Sequence, residues 1–211
     1  EEVTKVRKNQ NKYIVTTNNK KTEFDYVVST ASYNITQIIF EELLTEEEIK
    51  KMKNICYTCA KTLLIFSKKS LTPYYWTNIG SKEISFGGII EHTNMINSSK
   101  YNNASLIYIS NYMDRNDRLY KLDAKELFEE YKKYLKKINN NFQTNDIIDL
   151  QCFEEDYAQP IIETKYSNKI LNMDLKEKGL FIANMAQIYP EDRGMNYAIK
   201  LGCEVAKKII R

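Results

Sequence analysis

The sequence predicts an α+β fold, in which helices cover a mixed but largely antiparallel sheet. Short segments rich in β-branched and aromatic residues follow one another with only loops between them, and this order favours antiparallel pairing. Two other segments begin with a capping sequence, and the longer of them repeats apolar residues at the spacing of a helix. The chain ends in a third amphipathic segment, which follows a short apolar strand.

The internal elements can be placed in order along the chain. Thr45 and Glu48 form a T-x-x-E capping box, which predicts a helix that runs to about Lys53. Asp123 begins a longer helix, whose apolar residues recur at helical spacing as far as the asparagines at 139–141. Both helices are expected to cover one face of a sheet. Its strands are expected at residues 61–67, 74–77, 85–91, 105–112, 147–155 and 180–183.

The C-terminal segment contains the most informative pattern. An apolar run after Gly179 leads through a polar loop into a helix start at Gly194. Gly194 would let a ligand approach the backbone, and Gly202 would let the helix and a strand lie close together. Unpaired N–H groups at such a helix start attract anions or carbonyl oxygens. The same spacing also fits an ordinary core helix that packs its apolar stripe on a sheet.

Composition excludes several classes of function. The chain has 31 basic and 28 acidic residues, and its formal net charge of +3 is too small to indicate a nucleic-acid or membrane-surface partner. The mean hydropathy of −0.53 and the lack of a long apolar run argue against a transmembrane segment. No signal peptide is recognisable, so a cytoplasmic location is expected.

The four cysteines do not indicate a metal site. Cys56 and Cys59 form a C-x-x-C motif, but in an extended segment residues three apart point to opposite faces. No second C-x-x-C motif accompanies it, and the chain contains one histidine. Reduced cysteines in the core or at a sheet edge are therefore expected, and no bound metal.

The segment from Gly179 to Gly202 resembles the C-terminal FAD-binding motif of the flavin amine oxidase superfamily. The most similar members are the protoporphyrinogen-oxidase-like and UDP-galactopyranose-mutase-like proteins, which are often linked with polysaccharide biosynthesis. The resemblance implies FAD as the cofactor, with the helix N-terminus pointing at the flavin ring. By position, the amides of Gly194, Met195 and Asn196 would face the flavin, and Arg193 and Tyr189 would line the nearby loop.

Three N-terminal strings resemble other parts of the same FAD-binding domain. They are EVTKVR at 2–7, KYIVTT at 12–17 and FDYVVSTA at 24–31, and they match its β-meander and returning strand. The resemblance implies that Val3 lies against the adenine and that Ser29 and Thr30 lie near the pyrophosphate. The G-x-G-x-x-G fingerprint that holds the pyrophosphate follows no strand of this sequence. The chain is therefore expected to be the C-terminal portion of a longer flavoprotein, with weak or absent FAD binding of its own.

The middle of the chain resembles the substrate domain of the protoporphyrinogen-oxidase-like members. The strings that carry the similarity are at 74–78, 90–94, 108–112 and 157–160. The predicted domains are therefore 1–31 and 176–211 for the incomplete FAD-binding part and 32–175 for the substrate domain. The candidate substrate-binding residues are Tyr75, Trp76, Asn94, Tyr157 and Gln159. Packing in the core or at a strand end is the alternative for each aromatic and polar residue of this set.

Glu91 and His92 are the candidate catalytic residues, because they emerge at the end of an apolar strand. His92 is the only histidine and could carry a proton near neutral pH, whereas a lone histidine is more often a hydrogen-bonded structural residue. The resemblance implies hydride transfer between the flavin and a small molecule, such as a nucleotide sugar or another glycan precursor.

Two alternatives to this oxidoreductase remain open from the sequence. A mutase-like enzyme would use reduced flavin without net redox, and such relatives place arginines against a diphosphate; the sequence shows no such arginine cluster. A catalytically silent binding module would keep only the substrate-domain fold. An incomplete domain could also self-associate through the surfaces that its missing part leaves open.

Overall fold

The structure, a computed structural model that describes residues 1–210, consists of two compact units. Unit 1 combines residues 1–57 with the chain from residue 159 onward, and unit 2 is Thr58–Ala158. The strands are β1 (Val3–Asn9), β2 (Lys12–Thr17), β3 (Lys21–Phe24), β4 (Val27–Ser29), β5 (Tyr57–Ser67), β6 (Trp76–Asn78), β7 (Gly88–Glu91), β8 (Ser105–Met113), β9 (Ile147–Pro160) and β10 (Leu180–Ile182). The α-helices are α1 (Tyr33–Ile39), α2 (Glu46–Lys53), α3 (Ala124–Ile138) and α4 (Met195–Ile210). Short 3₁₀ helices occupy His92–Asn94, Ser98–Tyr101, Arg118–Lys121, Thr144–Asp146, Tyr166–Asn168 and Met185–Gln187.

Unit 1 contains two small sheets. Strands β1, β2 and β3 form an antiparallel meander, as the N-terminal strings predicted. Strand β4 instead pairs in parallel with β10, in the register Leu180↔Val27, Phe181↔Val28 and Ile182↔Ser29. The pairing joins segments from the two ends of the chain, and it makes the fold mixed rather than purely antiparallel.

The boundaries of unit 1 differ from the predicted domain limits. Residues 32–57 and 159–175, which the resemblance assigned to the middle domain, belong to unit 1. The physical reason is a shared core, in which Tyr33 of α1 and Met52 of α2 are fully buried with Val6 and Leu180. Phe40, which follows α1, is buried in the same core. Separating these helices from the meander would expose that apolar surface to water.

Local capping explains where the helices of unit 1 begin. In α2 the predicted capping box is present: the Thr45 hydroxyl accepts from the Glu48 N–H (3.3 Å), and the Glu48 carboxylate accepts from the Thr45 N–H (2.8 Å). Helix α1 was not predicted from the sequence. Its N-cap is Ser32, whose hydroxyl accepts from the Ile35 N–H at 3.4 Å. Both helices therefore start at a side chain that satisfies an otherwise unpaired backbone donor.

Unit 2 is a five-stranded sheet in the order β6-β7-β8-β5-β9 with α3 packed on one face. Asp123 caps α3 by accepting from the N–H groups of Lys125 and Glu126, both at 2.9 Å. The buried side chains of α3 pack on alternate residues of the central strands, including Leu63, Ile89 and Ile109. The expectation that both capped helices cover one sheet is therefore wrong, because α2 belongs to the core of unit 1.

The cysteines of the C-x-x-C motif lie in different environments. Cys56 is exposed, whereas Cys59 is buried and its thiol donates to the carbonyl oxygen of Asp156 at 3.3 Å. Within residues 1–210, no three His, Cys, Asp or Glu side chains are grouped so that they could hold a metal ion. None of the helices in this range combines the length and the apolar character that a bilayer-spanning segment requires.

Two glycines of the C-terminal segment have opposite structural roles. Gly179 has a φ of +97°, and a Cβ there would lie 3.1 Å from the ring of Tyr13 and 3.3 Å from the carbonyl oxygen of Asp25. The backbone and the space at this position both require glycine. Gly202 lies inside α4, and a Cβ there would meet nothing within 4 Å among the described residues. The prediction that Gly202 allows a close helix-strand approach is therefore wrong.

Alanine substitutions at these two positions should shift stability in opposite directions. We expect Gly202→Ala to raise the free energy of unfolding by about 0.5 to 1 kcal/mol, because it removes a poor helix former without a steric cost. Gly179→Ala should lower it by more than about 1 kcal/mol, because the residue would be strained at positive φ. Urea denaturation followed by circular dichroism measures both. A stabilising Gly179→Ala would contradict the described start of β10.

Candidate functional site

The first candidate site lies in unit 1, beyond the C-terminal ends of β4 and β10. Because the two strands are parallel, their C-terminal ends meet at one edge of the sheet. The Ala183 N–H continues the ladder by donating to the Ser29 carbonyl oxygen at 2.9 Å. The Asn184 side chain then donates to the Ala31 carbonyl oxygen at 2.8 Å. These bonds fix the two loops that leave the sheet beside each other.

Helix α4 begins at the same edge. The Gly194 carbonyl oxygen accepts from the Ala198 N–H at 3.0 Å, so Gly194 immediately precedes the first helical turn. The N–H groups of Met195, Asn196 and Tyr197 accordingly have no acceptor within the helix. Met195 is 81% exposed, and its side chain does not close off this end of the helix. The first turn is therefore exposed, and a helix start of this kind attracts partial or full negative charge. The Asn196 Oδ1 folds back toward Gly194, 2.7 Å from the position that a Cβ there would take.

A groove of about 580 Å³ runs from this helix start along the inner side of α4. Its floor is mainly apolar, and Leu201 and Val205 are buried there against Phe181 and Ala183. A small number of polar residues stand around it. The lining consists of Val28, Thr30, Ala183, Asn184, Met185, Ile188, Arg193, Gly194, Met195, Ala198, Leu201, Gly202 and Val205. An apolar recess of this size with few polar groups is typical of a cofactor or ligand site.

The groove brings together four of the predicted cofactor residues, namely Thr30, Arg193, Gly194 and Met195. Asn196 is exposed in the first turn of α4. Tyr189 lies in a neighbouring hollow of about 130 Å³, and its ring centroid is 5.5 Å from that of Tyr166.

Two predicted cofactor residues lie elsewhere. The Ser29 side chain is buried and hydrogen-bonded to the Thr36 hydroxyl at 2.7 Å, and Val3 lies on β1 outside the groove lining. Sequence reasoning missed Val28 and Ala183 as lining residues, although both follow from the parallel pairing of the strand ends.

In unit 2, Glu91 is fully buried and has no access to a substrate. Its carboxylate accepts hydrogen bonds from the backbone N–H of Leu71 at 3.0 Å and of Thr72 at 2.8 Å, and from the Thr72 hydroxyl at 3.4 Å. These donors hold the turn after β5. The geometry therefore gives Glu91 a structural role, which the sequence could not reveal because it does not show which donors a strand-end carboxylate meets.

His92 forms a pair with a tyrosine. Its Nε2 lies 2.7 Å from the Tyr101 hydroxyl, and its ring contacts the edge of Tyr108 at a centroid distance of 6.4 Å. The imidazole is half-buried. This hydrogen bond supports the structural alternative for His92, while the pair still borders the sheet face that carries Tyr108.

The predicted substrate residues of the 74–94 region have different exposures. Trp76 is 57% exposed, and its indole N–H donates to Asn78 Oδ1 at 2.7 Å. The Tyr75 carbonyl oxygen accepts from the Glu91 N–H at 2.8 Å. Asn94 donates through its amide to the carbonyl oxygens of Thr72 and Tyr74, at 2.8 and 2.9 Å. Asn94 therefore braces the loop before β6. Trp76 presents the larger exposed aromatic surface, and Tyr75 is 37% exposed.

The two remaining predicted substrate residues fall in different units. Tyr157 belongs to unit 2, where the guanidinium of Arg115 lies 5.3 Å from its ring centroid. Gln159 belongs to unit 1.

The arginines of unit 2 are engaged by carboxylates. Arg115 pairs with Asp156 at 2.9 Å, and Arg118 pairs with Glu130 at 2.9 Å. The Arg118 guanidinium, through its hydrogen bond, holds the pKa of Glu130 below its ordinary value. Each guanidinium thus has a carboxylate partner, and a diphosphate would have to compete with it.

The sequence of residues 1–210 matches the family model described as flavin containing amine oxidoreductase. The chain belongs to this family. The match extends over both units, so the groove at α4 and the sheet of unit 2 are parts of one family fold. A flavin is the cofactor that the family name implies.

Solved structures show the same fold at low sequence identity. A proposed protoporphyrinogen oxidase from Exiguobacterium sp. 255-15 superposes with a TM-score of 0.73 at 13% identity, over 98% of this chain and 46% of its own. An oxidoreductase from Methanosarcina mazei superposes with a TM-score of 0.69 at 13% identity, over 98% of this chain and 48% of its own. A reduced UDP-galactopyranose mutase superposes with a TM-score of 0.55 at 15% identity, over 74% of this chain and 34% of its own. The chain thus spans less than half the length of these structures. It has no match among curated proteins.

Removal of the Glu91 carboxylate should lower the stability of unit 2. We expect Glu91→Ala to lower the free energy of unfolding by about 3 kcal/mol or more, because it leaves two buried backbone N–H groups without an acceptor. Chemical denaturation measures the change. Glu83→Ala is the control, since the Glu83 side chain is 78% exposed and its loss should cost less than about 0.5 kcal/mol. Equal effects of the two substitutions would contradict the structural role of Glu91.

Proposed function

We propose that this chain supplies the cofactor-facing helix and the substrate domain of an FAD-dependent oxidoreductase. The observation that carries the proposal is the open groove at the N-terminus of α4, which lies beyond the ends of a parallel strand pair. Family membership supports a flavin as the cofactor, and the position of the groove at the start of α4 supports a flavin site there. Had neighbouring side chains filled the helix start, the proposal would have lost this support.

The chemistry of the groove suits the ring of a flavin. Its apolar floor matches a planar aromatic body, and Thr30 and Arg193 are polar residues of its lining. The bound flavin would supply hydride transfer, which side chains cannot perform alone. The N–H groups at the start of α4 would stabilise negative charge at this position. The chain's own sequence provides no pyrophosphate-binding fingerprint, so affinity for FAD should depend on further polypeptide.

Unit 2 would then determine the substrate specificity. We further propose that the substrate is a small molecule, such as a nucleotide sugar or another glycan precursor. We also propose that the protein is cytoplasmic. The pairing of Arg115 and Arg118 with carboxylates favours the oxidoreductase over a mutase-like enzyme. A catalytically silent module would keep unit 2 and lose cofactor binding.

A pair of neighbouring substitutions tests the groove. In the complete gene product, Gly202→Leu would place a bulky side chain in the groove, because its Cβ enters open space. We expect at least a tenfold fall in affinity for FAD, about 1.4 kcal/mol. Cys203→Leu is the matched control, since Cys203 is exposed on the same helix and outside the groove lining. The flavin released per mole of purified protein, together with the visible spectrum, measures occupancy.

The same experiment separates the alternatives. Loss of flavin in the Gly202→Leu variant alone supports the proposed site. Equal occupancy in both variants would exclude the groove as part of the flavin site. A complete gene product that is colourless and takes up no added FAD would instead favour the silent binding module.

A further inference from the structure

Unit 2 has one sheet face that α3 leaves uncovered. Antiparallel partners lie side by side on the same face, so the strand register identifies its residues. One row of paired residues faces α3 and consists of Thr77, Ile89, Ile109 and Leu63. The last three of these are buried in the core. The rows on either side of it must therefore point to the opposite face.

The first of these rows is aromatic and apolar. It crosses four strands in the order Trp76, Ile90, Tyr108 and Leu64. Exposure falls along the row, from 57% at Trp76 through the half-buried Ile90 and Tyr108 to 6% at Leu64. The hydrogen bond from the Trp76 indole to Asn78 holds the ring in one orientation. The accessible end of the row is therefore an ordered aromatic surface, which suits stacking of a ring.

The second row consists of small polar residues and one glycine. It lies two residues further along the strands, about 7 Å away, and contains Asn78, Gly88, Ser110 and Thr62. The Ser110 and Thr62 hydroxyls are 2.9 Å apart. Gly88 leaves a recess between Asn78 and Ser110. Core packing does not require this glycine, because a Cβ there would make only an ordinary 3.5 Å contact with the Thr77 carbonyl oxygen.

The two rows contain no charged residue, although 28% of the chain is charged. A cationic amine would be expected to meet a carboxylate here, and a phosphate would be expected to meet arginine or lysine. Over β6, β7, β8 and β5 these two rows offer hydroxyl and amide groups instead. Their chemistry therefore complements an uncharged ligand with one apolar face and hydroxyl groups at its edge.

We infer that the surface formed by these two rows binds a neutral sugar ring, which stacks on Trp76 and hydrogen-bonds to the row that contains Asn78 and Ser110. The inference rests on the proposed function and deepens it by naming the substrate class. It adds Asn78, Gly88, Tyr108 and Ser110 to the substrate-contacting residues. The ring would be the neutral part of the substrate, so any charged group must lie outside the two rows.

The single tryptophan of the chain makes the test direct. The 211-residue chain is titrated with a panel of methyl hexopyranosides while the emission of Trp76 is followed. UDP and benzylamine are the anionic and cationic probes. We expect a saturable change with at least one glycoside and none with either charged probe. Gly88→Val, which fills the recess, should weaken that binding about tenfold or more. Tyr74→Ala, an exposed position outside both rows, should leave it unchanged.

Each outcome decides the inference. Saturable change with benzylamine or UDP alone, or with none of the probes, would overturn it. Equal weakening by Gly88→Val and Tyr74→Ala would also overturn it, because binding would then not depend on the two rows. Circular dichroism of both variants shows that the fold is retained. The titration contains no flavin, so it tests this surface separately from the redox proposal. Sugar binding by the chain, together with a complete gene product that takes up no FAD, would refute the proposed redox function while leaving this surface intact.

Discussion

The parallel pairing of β4 with β10 is the constraint on which the candidate cofactor site depends. It brings residues 27–29 and 180–182 into register, although about 150 residues separate them in the sequence. Gly179 permits this pairing, because the chain enters β10 through a left-handed backbone conformation against the Tyr13 ring. The pairing then sets the positions of both loops that lead into the groove and of the first turn of α4.

Unit 2 depends on a different arrangement, in which α3 stabilises one sheet face and leaves the other uncovered. Helix α3 covers the face that carries Leu63, Ile89 and Ile109. The buried carboxylate of Glu91 fixes the turn at residues 71–72. The opposite face presents the exposed Trp76 and the hydroxyl pair of Thr62 and Ser110, which we propose as the groups that contact a ligand. This division of roles is common in antiparallel sheets.

The sequence predicted those features that local chemistry determines. The capping residues Thr45 and Asp123 start α2 and α3, and the strand-loop-helix pattern after Gly179 places β10 and α4 correctly. Helix α1 was missed, because its seven residues Tyr33–Ile39 are too few to establish an apolar period.

Tertiary packing explains the remaining differences. The burial of Glu91 and the assignment of α1 and α2 to unit 1 depend on partners distant in sequence. The strand register, which selects the two rows of unit 2, likewise cannot be obtained from a single segment. Local patterns thus located the start of α4 at the candidate cofactor site, whereas the inner lining of the groove required the parallel pairing.

The most direct test of the account is an NMR measurement on the isotopically labelled complete gene product as FAD is added. Backbone amide resonances should shift most at residues 194–198 and at Thr30, because these groups surround the open start of α4. Resonances of α3 should shift little. If FAD binds and the amides at the start of α4 do not respond, the groove is not the flavin site and the central claim fails.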